Sequence, residues 1–204
     1  MRIEQGETRS LRHLDNDRQD TSAVKAVLSG DRQAFDSIVT RYTPLLYSLA
    51  YQFLGGEFDA EEAVQDIFFK LYRTLPKFDP SRRFHPWMYT IALNTLRSIQ
   101  KKNRRKILRL RADLAEARPA AEAAVSDDNP LDQVVRREGE RLARKALQTL
   151  RKQHREVFIL RFIEGLPENE VSEILGIPLG TVKTYGYRAR RELATILTEA
   201  GWEG

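Results

Sequence analysis

The sequence predicts an all-α protein made of two small helical domains joined by a flexible linker. Apolar residues recur at helical spacing in both halves of the chain, and no segment alternates convincingly as a strand would. An Ala-, acid- and Pro-rich stretch separates the halves. At 204 residues, each half is near the lower size limit of an independently stable domain. The predicted ranges are a polar N-terminal extension (1–22), a first domain (23–108), the linker (109–132) and a second domain (133–204).

The first domain is predicted to contain a series of helices. Helical spacing runs from Ala34 to Phe53, from Asp59 to about Leu75, and again from near Pro86. Gly55 and its neighbouring glycine break the pattern between the first two segments. Pro44 marks a bend or a helix start within the first segment.

The second domain contains a stretch, Arg161–Leu193, that is typical of a helix-turn-helix. Pro167 suits a first helical turn, and Gly176 suits a helix end. Thr181 is well placed to cap the next helix, whose polar face would lie in the DNA major groove. That face carries Lys183, Thr184, Tyr187, Arg188 and Arg191. The alternative is an ordinary helical hairpin with a solvated basic face.

Charge is uneven along the chain although the net charge is only +5. The range Arg82–Arg111 has ten Lys or Arg and no Asp or Glu, whereas Ala112–Pro130 has five acids and one Arg. A cationic block beside an anionic linker predicts a polyanionic partner. The helix-turn-helix favours nucleic acid over an anionic membrane surface.

Several function classes are disfavoured. The chain has no cysteine, no apolar run of membrane-spanning length and no signal-peptide pattern, so we expect a cytoplasmic protein without membrane insertion. Its three histidines are scattered, and catalytic or phosphate-loop motifs are missing. Acids such as Asp59, Glu61 and Glu62 suit a first helical turn without a metal. We expect no enzyme activity, catalytic residue, metal or cofactor.

The helix Asp59–Arg73 has a broad buried stripe and a polar face that includes one large aromatic residue, Phe69. The polar face carries Glu62, Gln65, Asp66, Phe69 and Arg73. A single exposed aromatic residue is common, but an aromatic framed by Gln and acids is also typical of a protein-docking surface. The pattern does not decide between the two.

The helix after Pro86 interleaves aromatic, amide and basic residues on one face. That face carries Trp87, Thr90, Asn94, Arg97 and Lys101, and Arg82, Arg83, Phe84 and His85 precede it. Stacking rings with donors for bases and phosphates are typical of single-stranded nucleic-acid binding. The alternative is that Trp87 and Tyr89 are core residues.

With these motifs in order, the chain resembles the bacterial sigma-70-family RNA polymerase specificity factors, and specifically the extracytoplasmic-function (ECF) group. The motifs that carry the resemblance are EEAVQDIFFKLYR, FDPSRRFHPWMYTIALNTLRSIQKKNRR and LRKQHREVFILRFIEGLPENEVSEILGIPLGTVKTYGYRARREL. They lie within Ala34–Arg105 and Arg141–Leu197. The two domains would then be region 2-like and region 4-like.

The resemblance implies three binding surfaces. Glu62, Gln65, Asp66, Phe69 and Arg73 would dock on the polymerase core at its β′ clamp helices, with the β flap as a further core contact. The promoter −10 element, single-stranded, would be held by Arg82, Arg83, Phe84, Trp87, Thr90, Asn94, Arg97 and Lys101. The −35 element, as duplex, would be bound by Thr181, Lys183, Thr184, Tyr187, Arg188, Arg190 and Arg191. The family also implies an anti-sigma partner and an acidic linker threaded toward the RNA exit path.

The chain departs from the family pattern at three positions. Pro167 stands where Ser is common, and Tyr185 stands where a base is common. Gly186 occupies an inward position that is usually a large aliphatic residue, at a cost on the order of 1 kcal/mol relative to Ala. We expect Tyr185 or Tyr187 to fill the gap beside Gly186. These departures bear on which −35 sequence is preferred, rather than on whether the chain binds DNA.

Two other interpretations remain open on the residues alone. A helix-turn-helix regulator of duplex DNA would have no use for the Trp87–Lys101 face or the surface around Phe69. An adaptor that binds only protein would have no use for the groove-facing residues of the last helix.

Overall fold

The computed structural model describes residues 19–113 and 142–201, and the ordered elements in these two ranges are all helical, as predicted. The helices are α1 (19–28), α2 (Ala34–Leu54), α3 (Glu57–Thr74), α4 (Phe84–Asp113), α5 (142–149), α6 (Lys152–Phe158), α7 (Glu168–Leu175) and α8 (Leu179–Glu199). A 3₁₀ turn, Leu75–Lys77, follows α3, and a π-helical turn, Ile159–Ile163, follows α6.

The first domain packs α2, α3 and α4 against one another around an apolar core. Each helix contributes residues at intervals of three and four, because those positions share one face of a helix. The core includes Ile38, Tyr42, Leu46, Leu49, Phe53, Ala63, Ile67, Leu71, Met88, Tyr89, Ala92 and Leu96. Gly55 ends α2 at a φ of 82°, a left-handed conformation that glycine adopts without strain.

Part of the predicted N-terminal extension belongs to the first domain. Residues 19–22 begin α1, while residues 1–18 lie outside the described residues. Asp20 is fully buried, and its carboxyl group accepts hydrogen bonds from Arg41 and from the Tyr42 hydroxyl. Burial raises the pKa of Asp20, and the contacts to Tyr42 and Arg41 partly oppose that rise. Asp20 therefore ties α1 to α2.

Several predicted boundaries in the first domain were wrong by a few residues. Pro44 was predicted to mark a bend or a helix start, and it lies inside α2, so the second alternative is wrong. Both α3 and α4 begin two residues earlier than predicted. The end of α4 at Asp113 places residues 109–113 of the predicted linker in a helix, and residues 114–132 lie outside the described residues. Long basic helices without a Gly or Pro have no local stop signal, which explains the last difference.

The second domain packs α6 and α7 against α8, the long last helix. The predicted range began at 133, and the described part begins at 142. Gly176 ends α7 at a φ of 64°, as predicted. Pro167 precedes α7 rather than opening it. Thr181 does not cap α8, because α8 begins at Leu179 after Pro178.

Candidate nucleic-acid interface

The polar face of α8 is exposed to solvent along its first three turns. Its buried side consists of Val182, Gly186, Ala189 and Leu193. The exposed side carries Lys183, Thr184, Tyr187, Arg188, Arg190 and Arg191. Thr181 lies half-buried in the first turn. This is the arrangement that a recognition helix needs, since bases and hydrogen-bonding groups face outward from a buried seam.

The predicted gap beside Gly186 is filled by a different residue from the two we expected. A Cβ built on Gly186 would lie 3.5 Å from the Phe162 ring, so the ring covers the glycine. Tyr185 instead packs on His154, with ring centroids 5.0 Å apart, and Tyr187 is 60% exposed. The Arg190 guanidinium lies over the Phe162 ring, 5.1 Å from its centroid. Phe162 therefore positions one of the predicted DNA-contacting arginines.

Acidic side chains of α7 lie close to the start of the recognition helix. The Glu168 carboxylate is 3.9 Å from the Lys183 ammonium and 3.3 Å from the Arg161 guanidinium. These half-exposed pairs contribute little to stability. The Lys183 contact lies on the exposed basic side of α8.

The aromatic residues at the start of α4 divide between surface and core. Trp87 is half-buried and packs on Phe78 and Phe84, with ring centroids 4.8 and 5.6 Å away. Phe84 is only 1% exposed and Tyr89 is fully buried. Phe84 is thus a core residue that supports Trp87. Its buried position does not suit the direct contact with DNA that we predicted. Trp87 alone of these rings retains an accessible face.

The polar side of α4 faces the second domain. Arg97 binds the Glu156 carboxylate of α6 with both ends of its guanidinium, Nε to Oε1 at 2.9 Å and Nη2 to Oε2 at 2.7 Å. This hydrogen bonding raises the pKa of Arg97. The Asn94 side chain accepts a hydrogen bond from Arg97 at 3.1 Å, and Lys101 is exposed. The predicted residues are brought together, but several are engaged by another part of the chain.

A basic groove runs between α4 and α6. Its charged lining consists of Arg97, Lys101, Arg104, Lys152 and Arg155, with no acid among the described lining residues. Arg155 is buried and donates to the side chains of Gln148 and Gln100. Burial lowers the pKa of Arg155. No pattern in the sequence pointed to Lys152 and Arg155, because only the packing of two domains brings them to α4.

The polar face of α3 forms a separate surface on the first domain. Glu62, Gln65, Asp66, Phe69 and Arg73 are all exposed on it. Phe69 is 60% exposed, and the Arg73 guanidinium lies 5.5 Å from its ring centroid. A large apolar ring surrounded by hydrogen-bonding groups suits a protein partner.

Two other kinds of functional element are absent from the described part of the chain. Across residues 19–113 and 142–201, no three His, Asp or Glu side chains gather as metal ligands would. None of the helices in those ranges combines the length and hydropathy needed to cross a bilayer.

Comparison with known families places both domains. The Sigma-70 region 2 model matches residues 38–106, and the Sigma-70 region 4 model matches residues 140–193. Among curated proteins, the chain is 36% identical to the ECF RNA polymerase sigma factor SigW of Bacillus subtilis over 178 residues, which are 86% of this chain and 95% of that protein. The chain therefore belongs to the sigma-70 family, in its ECF group.

Similarity to two solved structures agrees with that placement. This sigma factor is similar to CnrH in complex with the cytosolic domain of CnrY, at 28% identity and a TM-score of 0.65, covering 89% of this chain and 98% of CnrH. It is also similar to RpoE in complex with the anti-sigma factor NepR from Bartonella quintana, at 25% identity and a TM-score of 0.60, covering 80% and 96% of the two chains. The first domain is region 2 and the second is region 4.

Proposed function

We propose that this sigma factor binds core RNA polymerase in the cytoplasm and directs promoter-specific initiation of transcription, with no catalytic step of its own. The observation that carries the proposal is the presence of chemically distinct exposed faces on two domains of sigma-70 type. The exposed face of α8 is basic and suits duplex DNA. The face of α4 combines the Trp87 ring with cations, and the face of α3 places the Phe69 ring among acids and amides.

Region 4 reads the −35 element through α8. The side chains at its N-terminal end, from Lys183 to Arg188, would enter the major groove of the duplex. Tyr187 stands out from the helix and can contact a base edge or a methyl group. Arg190 and Arg191 lie further along and suit phosphates, which fix register rather than sequence.

Region 2 captures the −10 element as a single strand. Trp87 offers a ring for base stacking, and the cations Arg82, Arg83, Arg97 and Lys101 suit the phosphates beside it. Binding energy gained on unpaired bases favours strand opening, since the duplex offers no such contacts. Phe84 contributes indirectly, by packing against Trp87 and holding it in place.

The α3 face docks on the β′ clamp helices of the polymerase core. Phe69 would be the central apolar anchor, with Gln65, Asp66 and the other polar residues of this face at its rim. Region 4 would use the β flap as a second attachment. An anti-sigma factor is a further proposed partner, in keeping with the NepR complex of a similar sigma factor.

Footprinting of the reconstituted holoenzyme on genomic promoter fragments tests this division of roles. We expect protection near −35 and strand opening near −10 only when sigma and core are both present. The Arg188→Ala holoenzyme should lose the −35 protection, whereas Glu192→Ala, beside it on α8 but facing His154, should keep it. Protection of duplex DNA by the sigma chain alone, unchanged by core, would instead indicate a duplex-binding regulator.

A further inference from the structure

The basic groove between α4 and α6 gathers cations of region 2 and region 4 in one place. Its charged lining comes from both regions, with Arg97, Lys101 and Arg104 on α4 and Lys152 and Arg155 on α6. Its volume of about 810 Å³ is within the range of small-molecule sites. We propose that this groove binds a compact polyphosphate anion, either inorganic polyphosphate or the phosphate chain of a nucleotide.

The positive charge of the groove is not balanced by the protein. Among the described residues, the only carboxylate within 4.0 Å of a lining cation is that of Glu156, which binds Arg97 at 2.7 Å and lies 4.0 Å from Lys152. Five cations therefore share one carboxylate. Like charges held together in this way repel one another, and a bound polyanion would remove that repulsion.

Arg155 is the buried cation of the groove, and its hydrogen-bond partners are neutral. The residue is 6% exposed, and its guanidinium donates to Gln148 Oε1 at 2.6 Å and to Gln100 Oε1 at 3.1 Å. Its Nε has no hydrogen-bond partner among the described residues. Burial of a cation is costly unless negative charge compensates it, and burial accordingly lowers the pKa of Arg155. An anion in the groove would supply the compensating charge.

The other cations of the groove are accessible to a ligand. The Arg97 side chain is 29% exposed although it binds Glu156, and the Lys152 side chain is 58% exposed. Lys101 and Arg104 are exposed as well. Guanidinium groups bind phosphate by paired hydrogen bonds, and ammonium groups bind it as point charges. The groove can therefore receive phosphate groups while α4 and α6 stay in contact.

The lining favours phosphates alone over a nucleic-acid strand. Sites for single strands provide aromatic rings on which bases stack, and no aromatic residue is among the described lining residues of the groove. Trp87, the ring proposed for base stacking, lies about 15 Å along α4 from Arg97. In contrast, Arg97 and Arg104 share one face of α4 within about 10 Å. This clustering suits a ligand that carries several charges in a short length.

Isothermal titration calorimetry of the full-length protein tests the proposal, with sodium tripolyphosphate as the probe. We expect tripolyphosphate to bind more tightly than sulfate at equal ionic strength. Arg104→Gln and Lys152→Gln should each weaken that binding by about threefold to tenfold, because each removes one charged phosphate contact. Arg105→Gln and Lys145→Gln are the controls, because they remove the same charge from exposed positions outside the groove lining. They should leave the affinity nearly unchanged.

A second readout follows the buried cation. Tripolyphosphate should raise the thermal midpoint of the wild-type protein, because a ligand that binds only the folded state stabilises it. Arg155→Gln should lose most of this ligand-dependent increase, whatever its midpoint without ligand. The exposed-site variants Arg104→Gln and Lys152→Gln keep the test decisive if Arg155→Gln does not fold.

A further titration with adenosine triphosphate distinguishes the two sources of phosphate. Binding no tighter than that of tripolyphosphate would assign the groove to inorganic polyphosphate, and tighter binding would assign it to a nucleotide. Polymerase takes no part in these measurements, so their outcome does not depend on the proposed function.

Three results would overturn the proposal. In the first, wild type binds tripolyphosphate no more tightly than sulfate. In the second, the control variants lose as much affinity as the groove variants, which would indicate a general effect of net charge. In the third, a short single-stranded DNA binds at the same residues as tightly as tripolyphosphate does, and the groove then belongs to the −10 surface.

Discussion

Individual side chains in region 2 have separable tasks, because exposed and buried functional groups lie on opposite sides of the same helices. Phe69 projects from α3 into solvent while its neighbours in sequence, Ile67 and Leu71, are fully buried. Asp20 is polar and yet buried, and its partners are polar too. Phe69 therefore suits binding, and Asp20 suits stability.

Replacement of Phe69 with Ala should mainly weaken association with core polymerase. Among the described side chains of α3, the ring is the largest exposed apolar group, and truncating an interface anchor of this kind costs about 2 kcal/mol or more of binding energy. A quantitative pull-down or surface plasmon resonance with core enzyme measures this loss. Leu28→Ala, an exposed apolar residue on α1, is the matched control. Unchanged core affinity in Phe69→Ala would remove the residue from the docking surface.

Replacement of Asp20 with Ala should lower the free energy of unfolding by about 2 kcal/mol, because the Arg41 guanidinium and the buried Tyr42 hydroxyl lose their acceptor. Urea denaturation of the full chain gives this value. Asp20→Asn keeps an acceptor oxygen and should lose less. If both variants are as stable as wild type, α1 is not anchored through this carboxyl group.

The pH dependence of stability offers an independent check on Asp20. Burial raises its pKa, so the folded protein binds a proton there more tightly than the unfolded chain does. Its contribution to stability is therefore greatest below its ordinary pKa of 3.8 and decreases as pH rises through the raised value. Comparison of wild type with Asp20→Asn across acidic pH should show this loss only in wild type.

At the scale of single elements, α8 combines a buried seam with a basic face that runs from Lys183 to Arg191. Lys183→Ala or Arg188→Ala should weaken promoter-specific transcription, because each removes an exposed cation from the groove-facing side. Binding to core should remain intact. Run-off assays paired with a core pull-down separate the two effects, and an equal loss of core binding would contradict the role assigned to this face.

Gly186 gives a test of how α8 packs. An Ala at this position gains helix propensity of about 1 kcal/mol, and its Cβ would meet Phe162 at an ordinary contact distance of 3.5 Å. Gly186→Ala should therefore raise the thermal midpoint, measured by circular dichroism. Gly186→Leu should lower it, since a larger side chain displaces the Phe162 ring. A destabilised Gly186→Ala variant would show that the ring cannot accommodate even a methyl group.

Helical periodicity was sufficient to predict most elements and the faces they expose. Gly55 and Gly176 ended helices where expected, because a left-handed turn is a local property of glycine. The filling of the space beside Gly186 by Phe162 could not be predicted, since these residues are 24 positions apart and meet only through packing. The core position of Phe84 could not be predicted from the sequence for the same reason.

At the scale of the whole molecule, the sequence predicted two domains and their separate chemistries but not their contact. Arg97 and Glu156 are 59 residues apart, and no local pattern links them. Their pairing depends on the relative position of two folded units, which hydrophobic periodicity does not encode. The pairing of Arg97 with Glu156 is thus a property that only the three-dimensional structure reveals.

The most direct measurement of the central claim is run-off transcription with purified core RNA polymerase and genomic promoter fragments, followed by mapping of the start sites. With this chain present, we expect transcripts from a new and restricted set of start sites that core enzyme alone does not use. If core enzyme initiates at the same places with and without the chain, the chain is not a promoter-specificity factor.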